Sequence, residues 1–151
     1  MRNYWLLKTE PGSYSIEDLK RQKIGVWDGV RNYQARNNLQ AMNTGDQVII
    51  YYSSVAEPSA VGLGIVEGEP SSDMAQFDKK SKYFDPKAKP DKPIWLSRGI
   101  KYLKTFKKPI KLGQMRMNPS FNGMLLLKKG MRLSVQPVSR VHFELICKLG
   151  N

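Results

Sequence analysis

The sequence predicts an α+β chain: a small mixed β-barrel of five to six strands with short flanking helices. Three observations carry this. Short apolar stretches rich in β-forming residues recur along the chain, each bounded by glycine, proline or asparagine turns. The helical patterns between them are short and peripheral. Gly62 and Gly64 break one apolar stretch where a bulge or sharp bend would let a sheet curl toward closure.

Tyr4 to Lys8 (YWLLK) reads as the first strand, ending at Glu10-Pro11-Gly12. Ser15 with Asp18 three residues on resembles a capping box and opens a short helix carrying Ile16 and Leu19. Lys23 to Trp27 returns to extended chain, and Trp27-Asp28-Gly29 turns it. Ala35, Leu39 and Met42 then recur at helical spacing behind Asn32, a candidate N-cap, with Arg31, Gln34 and Asn38 on the opposite face. After the turn at Asn43 to Asp46, Gln47 to Tyr52 is a continuous apolar run suited to a strand buried on both faces. Ala60 to Gly68 pairs with it as an antiparallel hairpin. Its glycines are not a dinucleotide fingerprint, because no helix pattern follows them.

Glu69 to Lys92 is polar and proline-bearing, the composition of a long loop, and loops of that length are usually functional or mobile. Ile94 to Phe106 recovers strand character, with Ser97-Arg98-Gly99 as an interruption. A connector from Pro109 to Pro119 holds a helical turn at Leu112 to Met115, and Phe121 to Leu127 fits either a helix or a buried segment. Met131 to Pro137 alternates as a strand does, placing Arg132, Ser134 and Gln136 on one polar face. Ser139 caps a last helix with Val141, Leu145, Cys147 and Leu149 as its apolar side.

At 151 residues, with 40% apolar and 25% charged residues, the chain is expected to be one globular domain over 1-151. It has no apolar run of membrane-spanning length and no signal-peptide pattern, so an intracellular setting is expected: cytoplasmic, or nuclear if eukaryotic. A monomer is expected, with no membrane partner. The single Cys147, among Leu145, Ile146 and Leu149, excludes an intramolecular disulfide and reads as a buried structural thiol. His142 is the only histidine, and no nucleophile–base set assembles around it. Metal-ligand spacing and a P-loop are both missing from the sequence, so no cofactor is expected and nothing compels an enzyme.

The formal net charge is +12, and between Lys79 and Lys111 twelve basic residues face only Asp85 and Asp91. Tyr83, Phe84, Trp95, Tyr102 and Phe106 interleave with those charges. That pattern favours a polyanion-facing surface over a merely solvated insertion. Lys79, Lys80, Lys82, Lys87, Lys89, Arg98 and Lys101 are the candidate phosphate contacts. The second concentration of chemistry is VWDGVRNYQARNN, Val26 to Asn38, which packs an indole, a carboxylate, a glycine, two arginines and three asparagines into thirteen residues. An exposed or half-exposed Trp27 beside a helix start suits a planar, anion-linked ligand such as a nucleotide.

Three strings are distinctive: YWLLKTEPGSYSIEDL (Tyr4 to Leu19), VWDGVRNYQARNNLQAM (Val26 to Met42) and RLSVQPV (Arg132 to Val138). With Gly45-Asp46 and SKYFDPKAKP (Ser81 to Pro90), they resemble the EVE domain family in order along essentially the whole chain. The resemblance implies a PUA-like fold, shared with YTH and ASCH domains, and a reader of modified bases in DNA or RNA. It makes Trp27 the counterpart of a YTH cage tryptophan, with Trp95 as a stand-in for the second. The candidate base-binding set is Trp27, Asp28, Gly29, Val30, Arg31, Asn32, Tyr33, Arg36 and Asn37. Lys8, Glu10, Tyr52, Ser53, Ser134, Gln136 and Pro137 complete it. Arg31 and Arg36 suit either phosphates or a base edge, and the asparagines suit either a Watson–Crick edge or a helix cap. The competing reading is an ASCH-like amidohydrolase acting on modified nucleosides through Lys8, Thr9 and Glu10. Adjacent strand residues point to opposite faces, so Glu57, Glu67 or Glu69 would have to supply its acid.

Overall fold

The computed structural model describes residues 2–151. Six strands form one mixed sheet: β1 (Tyr4–Thr9), β2 (Ile24–Trp27), β3 (Gln47–Tyr52), β4 (Ser59–Ser72), β5 (Leu96–Lys111) and β6 (Val135–Val138). Their order is β2-β5-β4-β3-β1-β6. β1 and β3 run parallel, and every other neighbouring pair is antiparallel. Four helices flank the sheet: α1 (Ile16–Gln22), α2 (Tyr33–Ala41), α3 (Leu112–Met117) and α4 (Arg140–Gly150). None of the helices among the described residues is long and apolar enough to cross a membrane.

The central strands are apolar on both faces because each face has its own core. Trp5, Leu7, Val48 and Ile50 pack with Ile16 and Leu19 of α1 and Ala35 and Leu39 of α2. The alternate residues Leu6, Ile49 and Tyr51 pack with Met115, Phe121, Phe143 and Ile146 on the other side. The three expected caps form, at Ser15, Asn32 and Ser139. Ser15 Oγ accepts from the Asp18 amide at 3.1 Å while Asp18 Oδ2 accepts from the Ser15 amide at 2.9 Å. Asn32 Oδ1 accepts from the Ala35 amide at 3.0 Å.

The sheet curls without closing into a barrel, since β2 and β6 remain its two edges. Register shifts flank Gly62 and Gly64, the bend expected there. A Cβ on Gly64 would lie 2.7 Å from Ile100 Cγ2, and one on Gly62 would meet the Lys104 carbonyl. Helix α2 bridges toward the other edge: Asn38 Nδ2 donates to the Val135 carbonyl of β6 at 2.7 Å.

Four expectations are corrected. Ser97-Arg98-Gly99 does not interrupt β5, because Arg98 is buried (1% exposed) with every guanidinium nitrogen hydrogen-bonded to a backbone carbonyl. β4 continues past Gly68 to Ser72, which shortens the loop, and a 3-10 turn follows at Met74–Phe77. β6 begins only at Val135, so the alternation over Met131 to Ser134 belongs to irregular chain. α4 buries Phe143, Ile146 and Gly150, a true helical spacing, whereas Val141 and Leu149 are exposed. Cys147 is half-buried on that helix, and burial pushes its thiol up.

Candidate functional site

A cleft of about 740 Å³ opens where the ends of β1 and β2 and the segment before β6 come together. Lys8, Thr9 and Glu10 lead out of β1, and Ser13 and Tyr14 follow them. Val26 to Arg31 carry β2 into its turn, Ser53 and Ser54 follow β3, and Met131, Arg132 and Ser134 precede β6. Lys82 and Tyr83 reach in from the basic segment.

The fold therefore gathers Lys8, Glu10, Trp27, Asp28, Gly29, Val30, Arg31, Ser53, Ser134 and Lys82 from the expected residues. Trp27 is not the open indole expected. It is 7% exposed, with Tyr14 edge-on at 5.8 Å, because β2 alternates and turns Gly25 and Trp27 inward while Ile24 and Val26 face out. It still borders the cleft from within the core.

Other expected residues serve the scaffold. Asn32 caps α2. Tyr33 lies outside the cleft against Trp95, ring centroids 4.9 Å apart, with the Arg36 guanidinium 5.0 Å from its centroid. Arg36 Nη1 donates to the Ile94 carbonyl, and Asn37 Oδ1 accepts from Arg36. The Tyr52 hydroxyl accepts from the Ile16 amide and donates to Glu17. Gln136 is 1% exposed, its amide donating to the Leu133 carbonyl, so it does not share a polar face with Ser134. Pro137 lines a different depression with Arg2 and Arg140. Trp95 is sealed in, its indole N–H donating to Asp85 at 2.8 Å.

Among the expected phosphate contacts, Arg98 is corrected: its side chain is buried and all of its bonds go to backbone carbonyls. Lys79, Lys80, Lys87, Lys89 and Lys101 are exposed. Thr9, Ser13, Tyr14, Val26, Ser54, Tyr83, Met131 and Arg132 also line the cleft without having been singled out for the base-binding set. Tyr83 had a signal in the chain as an aromatic inside a basic run, and Arg132 had one in its alternation with Ser134.

A family model described as EVE domain matches residues 3–149. The chain belongs to the EVE domain family. Mouse thymocyte nuclear protein 1 is 36% identical over 168 residues, covering 99% of this chain and 74% of that protein. A solved structure of a hypothetical protein from Leishmania major has a TM-score of 0.95 at 41% identity, covering 99% of this chain and 95% of that one. The human THYN1 protein, solved in complex with 5-methylcytosine-containing DNA, has a TM-score of 0.90 at 33% identity, covering 99% and 98%. An ASCH protein from Zymomonas mobilis, at 8% identity and a TM-score of 0.56 over 99% and 100%, shares the fold alone.

Charge in the cleft of this EVE domain is partly paired and partly desolvated. Arg31 Nη1 meets Asp73 Oδ2 at 2.9 Å, and the Asp73 side chain is fully buried. Desolvation in the cleft, then the neighbouring Asp73 charge, push the Asp28 carboxyl above its ordinary value. Burial lowers the Lys8 ammonium, which donates to the Met131 carbonyl at 3.3 Å. Lys8, Thr9 and Glu10 all border the cleft, although Thr9 Oγ1 is committed to the Tyr14 carbonyl at 2.8 Å. Glu57, Glu67 and Glu69 do not line it, and Glu57 pairs with Lys111.

Proposed function

We propose that this EVE domain is a non-catalytic nucleic-acid-binding module that takes one modified base of DNA or RNA into the cleft. The observation that carries this is the cleft itself: an indole wall at Trp27, hydroxyls and carboxylates among its lining, and the basic segment entering through Lys82 and Tyr83. The likeness to human THYN1, solved with 5-methylcytosine-containing DNA, supports a modified base as the ligand. Phosphate contacts supply affinity without sequence information, so selectivity must come from the cleft. An unpaired or flipped base suits it better than a stacked one, since only an extruded base presents both faces and its Watson–Crick edge. Such a module works inside the cell, where it meets nucleic acid.

The deciding experiment compares oligonucleotides that differ only in 5-methylcytosine against cytosine, over a salt series, read by tryptophan fluorescence. Tighter binding of the methylated strand, with both affinities falling as salt rises, is expected. Equal affinities across a panel of modified bases would overturn the proposal. The amidohydrolase reading keeps one observation in its favour, the convergence of Lys8, Thr9 and Glu10 on the cleft. Turnover of N-acylated nucleosides would establish it in place of the reader.

A further inference from the structure

We infer that Tyr83 is the second aromatic wall of the cleft, held against the Trp27–Arg31 turn by Arg31, which acts as its positioning residue. This rests on the base-reading function proposed above. Tyr83 reaches the cleft from the basic segment, far from Trp27 in sequence. Its ring lies directly on the turn: a Cβ at Gly29 would come within 3.0 Å of Tyr83 Cζ. Any side chain at Gly29 would push the ring back by a few tenths of an ångström, and the φ of +75° suits glycine on separate grounds.

Arg31 makes the contact durable. Its Nε donates to the Tyr83 carbonyl at 2.9 Å, and its Cζ lies 5.4 Å from the Tyr83 centroid and 5.4 Å from that of Trp95. Nη2 has no hydrogen-bond partner among the described residues and is left with those ring faces. Nη1 pairs with Asp73, whose carboxylate also accepts from the Gly29 amide at 2.8 Å and the Ala75 amide at 2.9 Å. One buried carboxylate therefore joins the turn, the start of the basic segment and, through Arg31, Tyr83. The Lys82 ammonium rests 5.1 Å from the same ring. A phosphate-seeking cation and a pocket wall share one docked segment, so a base in the cleft and its strand's phosphate are gripped together.

The test uses the full chain and the same pair of oligonucleotides, taking the affinity ratio of methylated to unmethylated strand. Tyr83→Leu should weaken binding of the methylated strand about five-fold or more, the lower end of what a base–aromatic contact contributes. It should weaken the unmethylated strand less, because that base is not held in the cleft, so the ratio falls, while Tyr83→Phe keeps most of it. Arg31→Lys, which lacks the planar guanidinium that stacks on two rings while bonding a carboxylate, should lower the ratio while leaving the salt slope alone. On the unaltered protein, an oligonucleotide carrying 5-iodocytosine should photo-cross-link to the peptide containing Tyr83. A ratio unchanged by Tyr83→Leu, equal losses on both strands, or cross-links confined to other peptides would overturn the inference and leave the reader function standing. A wild-type ratio of one for every modified base of the panel would overturn both.

Discussion

Arg98 grips the carbonyl of Gly68 from two nitrogens, Nε at 3.1 Å and Nη2 at 2.9 Å. Its Nη1 reaches the Leu39 and Met42 carbonyls at 2.9 and 2.7 Å, where α2 ends. A cation thus satisfies carbonyls that a helix end leaves unpaired and ties them to the far strand β4. Arg98→Met would strand the two buried acceptors at Leu39 and Met42, whereas the exposed Gly68 carbonyl keeps its bond from Thr44 Oγ1. It should cost about 3 kcal/mol or more in urea unfolding, at the scale of charge-assisted bonds lost with their acceptors left dry. The salt slope of nucleic-acid binding, measured on folded protein, should not change.

Trp27 belongs to the core as well as the cleft, so its truncation is a stability experiment first. Trp27→Ala should cost about 3–5 kcal/mol, the usual range for a large aromatic removed from a packed interior. Trp27→Phe keeps most of the packing. It should cost far less in a denaturant titration while still lowering selectivity for the modified base.

Gly29→Ala tests the seat of Tyr83. The positive φ alone should cost about 1–2 kcal/mol, or about 2–8 °C of Tm. Gly123 provides the control, with φ of +87° and nothing within 4 Å of a Cβ. Gly29→Ala should lower the Tm more than Gly123→Ala, by the cost of displacing Tyr83. Equal drops would show that the ring yields freely.

Two aspartates should respond oppositely to pH. Cleft desolvation, then Asp73, raise Asp28, so the folded protein holds that proton more tightly than the unfolded chain does. Its ionised form costs stability at neutral pH, and the cost fades as pH falls through the raised value. Asp28→Asn should therefore raise the Tm at pH 7 and lose that advantage below pH of about 4, the ordinary aspartate range. Asp18 is lowered, first by the Ser15 backbone amide and then by Arg21, so its contribution is present at neutral pH and is lost as pH falls below that range. Asp18→Asn should lower the Tm at pH 7 and make little difference in strong acid.

The sequence by itself determined the features written in neighbouring residues. The caps at Ser15, Asn32 and Ser139 form because donor and acceptor lie three residues apart. β3 reads as doubly buried because alternation is absent within six residues, and Gly62 and Gly64 mark the bend because no other side chain fits there. The turn after Trp27 and the basic run were equally visible.

Only the tertiary structure decided what those residues face. Trp27 turned inward because β2 pairs with β5 at one edge of the sheet, and Arg98 and Gln136 were buried by carbonyls that the chain brings to them from elsewhere or from an irregular bend. Ser134 reached the cleft and Gln136 did not, because regular strand begins only at Val135. The cleft draws on segments as distant as Glu10, Gly29, Ser53, Tyr83 and Arg132, which meet through non-local pairings. Burial and convergence are sums over partners far away in sequence, and no local pattern of side chains encodes which partner arrives.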